Sequence, residues 1–190
     1  MSTSTQVVEP VGHAEGDSAP DAADDGPGES STNPPRIELR LLAGDTDPPA
    51  ADWLIDALRR VLAGLAEPRL RGACIDIVIV DDARMADLHE HHTGVAGTTD
   101  VLTFDLSDGP TAPIEADLVI CADEAARQGE ARGHDARLEL LLYCVHGLLH
   151  LLGHDDHDPA AARRMHARED DLLVAAGFDA CGGDAEPIVE

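Results

Sequence analysis

The sequence predicts a single domain of mixed α and β structure. Short apolar runs rich in β-branched residues alternate with longer stretches of helical periodicity. A length of 190 residues suits one domain with tails. No internal repeat and no second core-sized apolar segment divides the chain.

Residues 1–35 are rich in Ser, Thr, Pro, Gly, Asp and Glu and contain no Lys or Arg. Such a segment cannot bury enough apolar surface to offset the entropy of ordering it, and it reads as a disordered acidic tail. The folded domain is then expected over 36–178, with 179–190 as a flexible C-terminal tail. Ile37, Leu39 and Leu41 alternate within a first strand from Arg36 to Leu42. From Ala50 to Leu65, Trp53, Leu54, Ala57, Leu58, Val61, Leu62 and Leu65 form a helix stripe opposite Asp56, Arg59 and Arg60, and Pro68 stops it. Cys74–Val80 is apolar enough for a buried strand. Asp82 is placed as the cap of a short helix over Ala83–His91 with Met85 and Leu88 inward. A Gly- and Thr-rich loop over 93–99 leads to a strand at Val101–Leu106. A Gly-Pro loop leads to another strand at Ala116–Cys121, and helices follow at Ala122–Arg132, Leu138–Leu152 and Pro159–Ala176, the last ended by Gly177.

Composition narrows the function classes. The chain carries a formal charge of −25, and all 13 of its Lys and Arg residues are Arg. Seven of its 38 acids lie in the first 35 residues, so the folded part is itself acidic. That balance weighs against a protein that grips nucleic acid through a broad basic surface. No run approaches the roughly 18 apolar residues of a membrane span. With neither a signal-peptide pattern nor a basic transit segment, a cytoplasmic protein is expected. Cys74, Cys121, Cys144 and Cys181 form no CxxC pair. Cys74, Cys121 and Cys144 read as small buried hydrophobes, and Cys181 as incidental.

The chemistry concentrates in His146-Gly147-Leu148-Leu149-His150-Leu151-Leu152-Gly153-His154-Asp155-Asp156-His157. Two histidines four apart share one helix face, with Cβ atoms roughly 5–6 Å apart, and can bind one metal ion from the same side. Gly153 lets the chain leave the helix, so the following His/Asp cluster can return a third ligand. Two helical histidines plus one loop ligand leave a coordination position open, as in a catalytic rather than a structural zinc site. His13, His89, His91, His92, His134 and His166 stand apart from this cluster and read as isolated or surface residues, although His91 and His92 can line a cleft.

Three blocks resemble the YbeY-type endoribonucleases, or ribosomal RNA maturation factors. Thr99-Asp100-Val101-Leu102-Thr103-Phe104 is close to that family's P-T-D-V-L-S-F. Ala116-Asp117-Leu118-Val119-Ile120-Cys121 is similar to its G-D-I-V-I-C, with Glu124, Ala125 and Gln128 following. The metal segment resembles H-G-x-L-H-L-x-G-x-D-H. With matching element order, the likeness runs over about Ile37 to Gly177. It implies an α+β fold, a small mostly parallel mixed sheet packed with helices, with the zinc site on a helix and the loop after it. It further implies one Zn²⁺ per chain and metal-dependent single-strand endoribonuclease activity. The implied role is in 3′-end maturation of small-subunit (16S) rRNA and in ribosome quality control. The implied partners are single-stranded or ribosomal RNA and the small ribosomal subunit, with no DNA and no membrane.

Two positions depart from the family pattern. The family's third ligand is a His three residues after the motif glycine, which here is Asp156, with His157 one further on. Counting back from Met165 also ends on Asp156. Carboxylate and imidazole both bind zinc at about 2.0–2.2 Å, so both stay open, with His157 taken first and His154 a weaker substitute. Thr93 stands where the family places an arginine, and Arg84 or Arg127 are the candidate replacements.

The expected chemistry is metal-assisted phosphodiester hydrolysis. His146 and His150 hold the metal with His157 or Asp156, while Asp100 or Asp155 orients a ligand imidazole or accepts a proton. Asp100 can equally be a cap before its strand, and Asp117 a strand-edge residue. A zinc protease needs a general-base Glu directly after the first His of the pair, a place that Gly147 occupies here. A ribosome-assembly factor stapled by a structural metal is the non-enzymatic alternative.

Overall fold

The computed structural model describes residues 7–8, 36–41 and 48–181. Five strands, β1 (Val7–Val8), β2 (Arg36–Leu41), β3 (Cys74–Val80), β4 (Val101–Asp105) and β5 (Glu115–Cys121), form one sheet in the order β1-β4-β5-β3-β2. β2, β3 and β5 run parallel, β4 is antiparallel to β5, and β1 runs parallel to β4. The helices are α1 (Pro48–Ala63), α2 (Asp82–Thr93), α3 (Ala122–Arg132), α4 (Ala136–Leu151) and α5 (Pro159–Ala175). The expected single α+β domain with a small mixed sheet is thus the fold observed.

Some boundaries differ from the sequence expectation. Within the segment expected to be a disordered tail, Val7–Val8 is strand, and the rest of 1–35 lies outside the described residues. At the other end, the Cys181 backbone N–H donates to Asp170 Oδ1 at 2.9 Å and Cys181 is buried, so residues 179–181 fold back on α5. The remainder of the expected tail lies outside the described residues. The cap of α2 is Asp81, whose carboxylate accepts from the Arg84 N–H at 2.8 Å. Asp82 is the first helical residue, and its carboxylate takes the Arg127 guanidinium instead. Asp117 is no edge residue, because β5 lies between β4 and β3.

The core lies on one face of the sheet. Ile75, Ile77 and Ile79 of β3 alternate inward with Leu118 and Ile120 of β5, as a period of two requires, against Leu54, Leu58, Leu141, Leu148 and Leu149. Burying each such side chain stabilises by roughly 1.5–3 kcal/mol. The other face is covered by α2, through a smaller cluster of Val80, Met85, Leu102, Val119 and Cys121.

α4 is buried on nearly every side from Leu138 to Leu149, which explains its continuous apolar sequence. It packs against β4, β5, α1, α3 and α5. At Gly147 it approaches the sheet closely: a Cβ there would stand 2.7 Å from Thr103 Oγ1 and 3.0 Å from Leu118 Cδ2. Arg69 holds the far end of the helix, donating to the Leu151 carbonyl at 2.6 Å and to the Ala112 carbonyl at 3.0 Å. The helix carrying the two histidines is therefore clamped along its length and at its C-terminus. No helix among the described residues is long and apolar enough to cross a membrane.

Candidate metal centre

His146 and His150 lie one turn apart near the C-terminus of α4, as their spacing predicts, with Nε2 atoms 3.2 Å apart. Helix α4 stops at Leu151, and Gly153 adopts a left-handed φ of 87°, a conformation open to glycine at no steric cost. The Gly153 and His154 N–H groups donate to the carbonyls of His150 and Leu149, both at 2.9 Å. That turn sends the chain back beneath the helix and delivers Asp156, whose carboxylate oxygens stand 3.8 Å from His146 Nε2 and 3.8 Å from His150 Nε2. Immediately afterwards Asp158 caps α5, accepting from the Ala160 and Ala161 N–H groups at 2.8 and 2.9 Å. The third side chain is thus fixed between a helix end and a helix start.

Hydrogen bonding defines which nitrogens face the cleft. His150 Nδ1 stands 3.1 Å from the His154 carbonyl, which can only accept, so Nδ1 carries the proton. His146 Nδ1 donates to the Glu169 carboxylate at 2.6 Å. Both Nε2 atoms then turn lone pairs toward each other and toward Asp156. Asp156 Oδ1 is itself buried without a hydrogen-bond partner. With both imidazoles neutral, three lone-pair atoms converge and form a cradle for a cation. Two nitrogens bound tetrahedrally to zinc at about 2.0–2.1 Å stand roughly 3.3 Å apart, which matches the observed pair. His146, His150 and Asp156 therefore fit a zinc ion by donor chemistry and spacing.

Charge within the cluster is uneven. Burial works against protonation of His146, but the Glu169, Asp100 and Asp156 carboxylates outweigh it and hold its pKa above the ordinary value. Burial and the neighbouring His146 hold His150 below it.

The other sequence candidates fall in distinct places. His157, the first expectation for the third ligand, has a side chain 73% exposed and paired with Asp155, while Asp156 is the residue that meets the His pair. The turn at Gly153 and the cap at Asp158 leave Asp156 pointing inward. Asp155, Asp156 and His157 form a second, more exposed group. The Asp155–His157 pair holds the carboxyl below and the imidazole above their usual ranges. His89, expected at the surface, is buried and its Nδ1 holds the Gly97 carbonyl at 2.9 Å. Cys181 is likewise buried, as are Cys121 and Cys144, and all four cysteines are free.

Asp100 lies just before β4 and is buried, its Oδ1 accepting from the Val101 N–H at 2.8 Å and the Thr99 hydroxyl at 3.0 Å. Burial raises its pKa, opposed first by the nearby His146. A buried carboxyl whose folded pKa exceeds its unfolded one costs stability above that range, and the cost vanishes as the pH falls below the unfolded pKa. Metal-free Asp100→Asn is therefore expected to melt above the wild type at pH 7, with the gap closing on acidification. A lower melting temperature at pH 7 would show that the charged form is stabilised by its surroundings.

Thr93 ends α2, its hydroxyl donating to the His89 carbonyl at 2.7 Å and accepting from the Val95 N–H at 3.1 Å. Of the arginines considered as replacements, Arg127 is bound to Asp82 at 2.6 Å and to Glu124 at 2.7 Å, whereas Arg84 is exposed on α2. Sequence reasoning missed Glu169. It sits in the buried stripe of α5 with Met165, Leu172 and Leu173. A lone acid on an apolar helix face was the available signal.

The chain is similar to several known proteins. A family model described as endoribonuclease YbeY matches residues 49–177. A Thermobifida fusca protein named endoribonuclease YbeY is 40% identical over 132 residues, covering 65% of this chain and 79% of its own. One of the same name from Moorella thermoacetica is 37% identical over 154 residues, covering 75% of this chain and 99% of its own. The solution structure of TM1509 from Thermotoga maritima shares the fold, with a TM-score of 0.52 at 19% identity, covering 74% of this chain and 88% of that one.

Proposed function

Because the chain belongs to the YbeY endoribonuclease family, we propose that it is a zinc-dependent endoribonuclease that cuts single-stranded RNA. The substrate we assign is the 3′ end of small-subunit rRNA in the cytoplasm, with a part in ribosome quality control. The family membership supports RNA as substrate. The observation that carries the metal dependence is the convergence of two imidazole Nε2 atoms and the partnerless Asp156 oxygen.

When bound, zinc supplies Lewis-acid polarisation of a phosphoryl oxygen and acidifies water for attack on the phosphodiester. His146 and His150, each imidazole fixed through its Nδ1–H, would hold it together with Asp156 from the loop. Asp100, buried and near enough for its charge to act on His146, anchors the start of β4. Asp155, exposed at the rim beside His157, is the candidate we assign for accepting a proton on the solvent side. Peptide hydrolysis is disfavoured twice over at Gly147. It offers no base, and Thr103 and Leu118 leave no room for one.

The ligand set is tested by a pair of variants. Asp156→Ala is expected to lose stoichiometric zinc and RNA cleavage together, while His157→Ala keeps both within a few-fold. The reverse pattern would return the third ligand to His157. A folded, zinc-loaded wild type that bound small ribosomal subunits without cutting RNA would favour a non-catalytic assembly factor. The acidic charge of −25 is the observation in that reading's favour.

A further inference from the structure

The two histidines differ in what holds the nitrogen that faces away from the cleft. His150 Nδ1 meets a neutral backbone carbonyl at 3.1 Å. His146 Nδ1 meets a carboxylate at 2.6 Å, supplied by a helix 23 residues further along the chain. Glu169 is only 4% exposed, and its helix neighbours Met165, Leu172 and Leu173 are fully packed apolar residues. Burying a carboxylate there is unfavourable unless a charged or strongly donating partner meets it. Among the described residues that partner is His146. A residue needed only to pack α5 on α4 would be served by an apolar side chain of similar size.

We propose that Glu169 is the positioning residue of the metal centre. It locks His146 as the Nδ1–H tautomer, aims its Nε2 into the cleft and makes it the more strongly donating of the two imidazoles. The inference rests on the metal reading above. A carboxylate behind a ligating imidazole fixes ring orientation and raises ligand basicity, and its loss typically weakens metal binding about 10–100-fold. The contact also joins α5 to α4.

The test uses the full-length protein and the variants Glu169→Leu and Glu169→Gln, with folding checked by circular dichroism. Zinc affinity is measured by competition with a chromophoric chelator. The His146 tautomer is read in the metal-free proteins by ¹⁵N NMR. Expected are a dominant Nδ1–H form in the wild type, its loss in Glu169→Leu, and zinc affinity lower by about 10–100-fold. Glu169→Gln, whose amide oxygen can still accept from Nδ1, falls between the two. If Glu169→Leu does not fold, Glu169→Gln carries the test alone through its weakened affinity. Unchanged zinc affinity with an unchanged tautomer in either folded variant overturns the proposal. A wild type that binds no zinc overturns the metal reading instead, and the tautomer in the metal-free proteins then decides the role of Glu169 by itself.

Discussion

His150→Ala is expected to abolish cleavage of single-stranded RNA while leaving the protein folded. The side chain gives one of the two nitrogens that face each other at 3.2 Å, and its Nδ1 contact reaches only the adjacent turn. Its side chain is only 4% exposed, so the fold is checked alongside the rate. Lewis-acid stabilisation of a developing charge is worth several kcal/mol, and each 1.36 kcal/mol is tenfold in rate. Loss of the ion should therefore lower the single-turnover rate by about 10³-fold or more. The measurement pairs that rate with zinc content and a thermal melt on the same sample. Cleavage within tenfold of wild type, in a variant that has lost its zinc, would mean that the metal does not do the chemistry.

Gly147→Ala should destabilise the fold, although the same change in an exposed helix would stabilise it by about 1 kcal/mol through helix propensity. The sign reverses because the added methyl meets Thr103 Oγ1 and Leu118 Cδ2 at 2.7 and 3.0 Å. Neither atom belongs to a long, flexible chain that can swing aside, and both strands are held in register by the sheet. Overpacking of this kind typically costs about 1–3 kcal/mol. For a protein of this size that amounts to a melting temperature lower by roughly 3–10 °C. Displacement of α4 also shifts both histidines, so zinc affinity should fall with stability. A melting temperature equal to or above wild type would show that the helix does not sit as close to β4 as described.

The parts of this site that were legible in the sequence are those set by local geometry. The spacing of His146 and His150 follows from one helical turn, and Gly153 as the exit follows from its tolerance of positive φ. Apart from β1, which lies in the segment read as a tail, the strands and α-helices were readable from period and apolar run length, to within a few residues at their ends. The choice between Asp156 and His157 was not legible, because a loop has no periodicity and one residue of register changes which side chain points inward. Packing of the turn against α4 and the cap at Asp158 bring Asp156, rather than His157, beside the His pair. Asp82 was misplaced as a helix cap for a similar reason. Two adjacent aspartates compete for one role, and the distant Arg127 on α3 draws the second of them away. The reversal of β4 within the sheet and the burial of Glu169 against His146 both depend on non-local contacts. Only the acid within the apolar stripe of α5 hinted at the latter.

The most direct test of the central claim is elemental analysis of the purified full-length protein, run with an RNA cleavage assay before and after chelation. One zinc per chain is predicted, with cleavage of single-stranded RNA lost on chelation and restored by adding zinc back. Undiminished cleavage by a folded protein stripped of metal would contradict it.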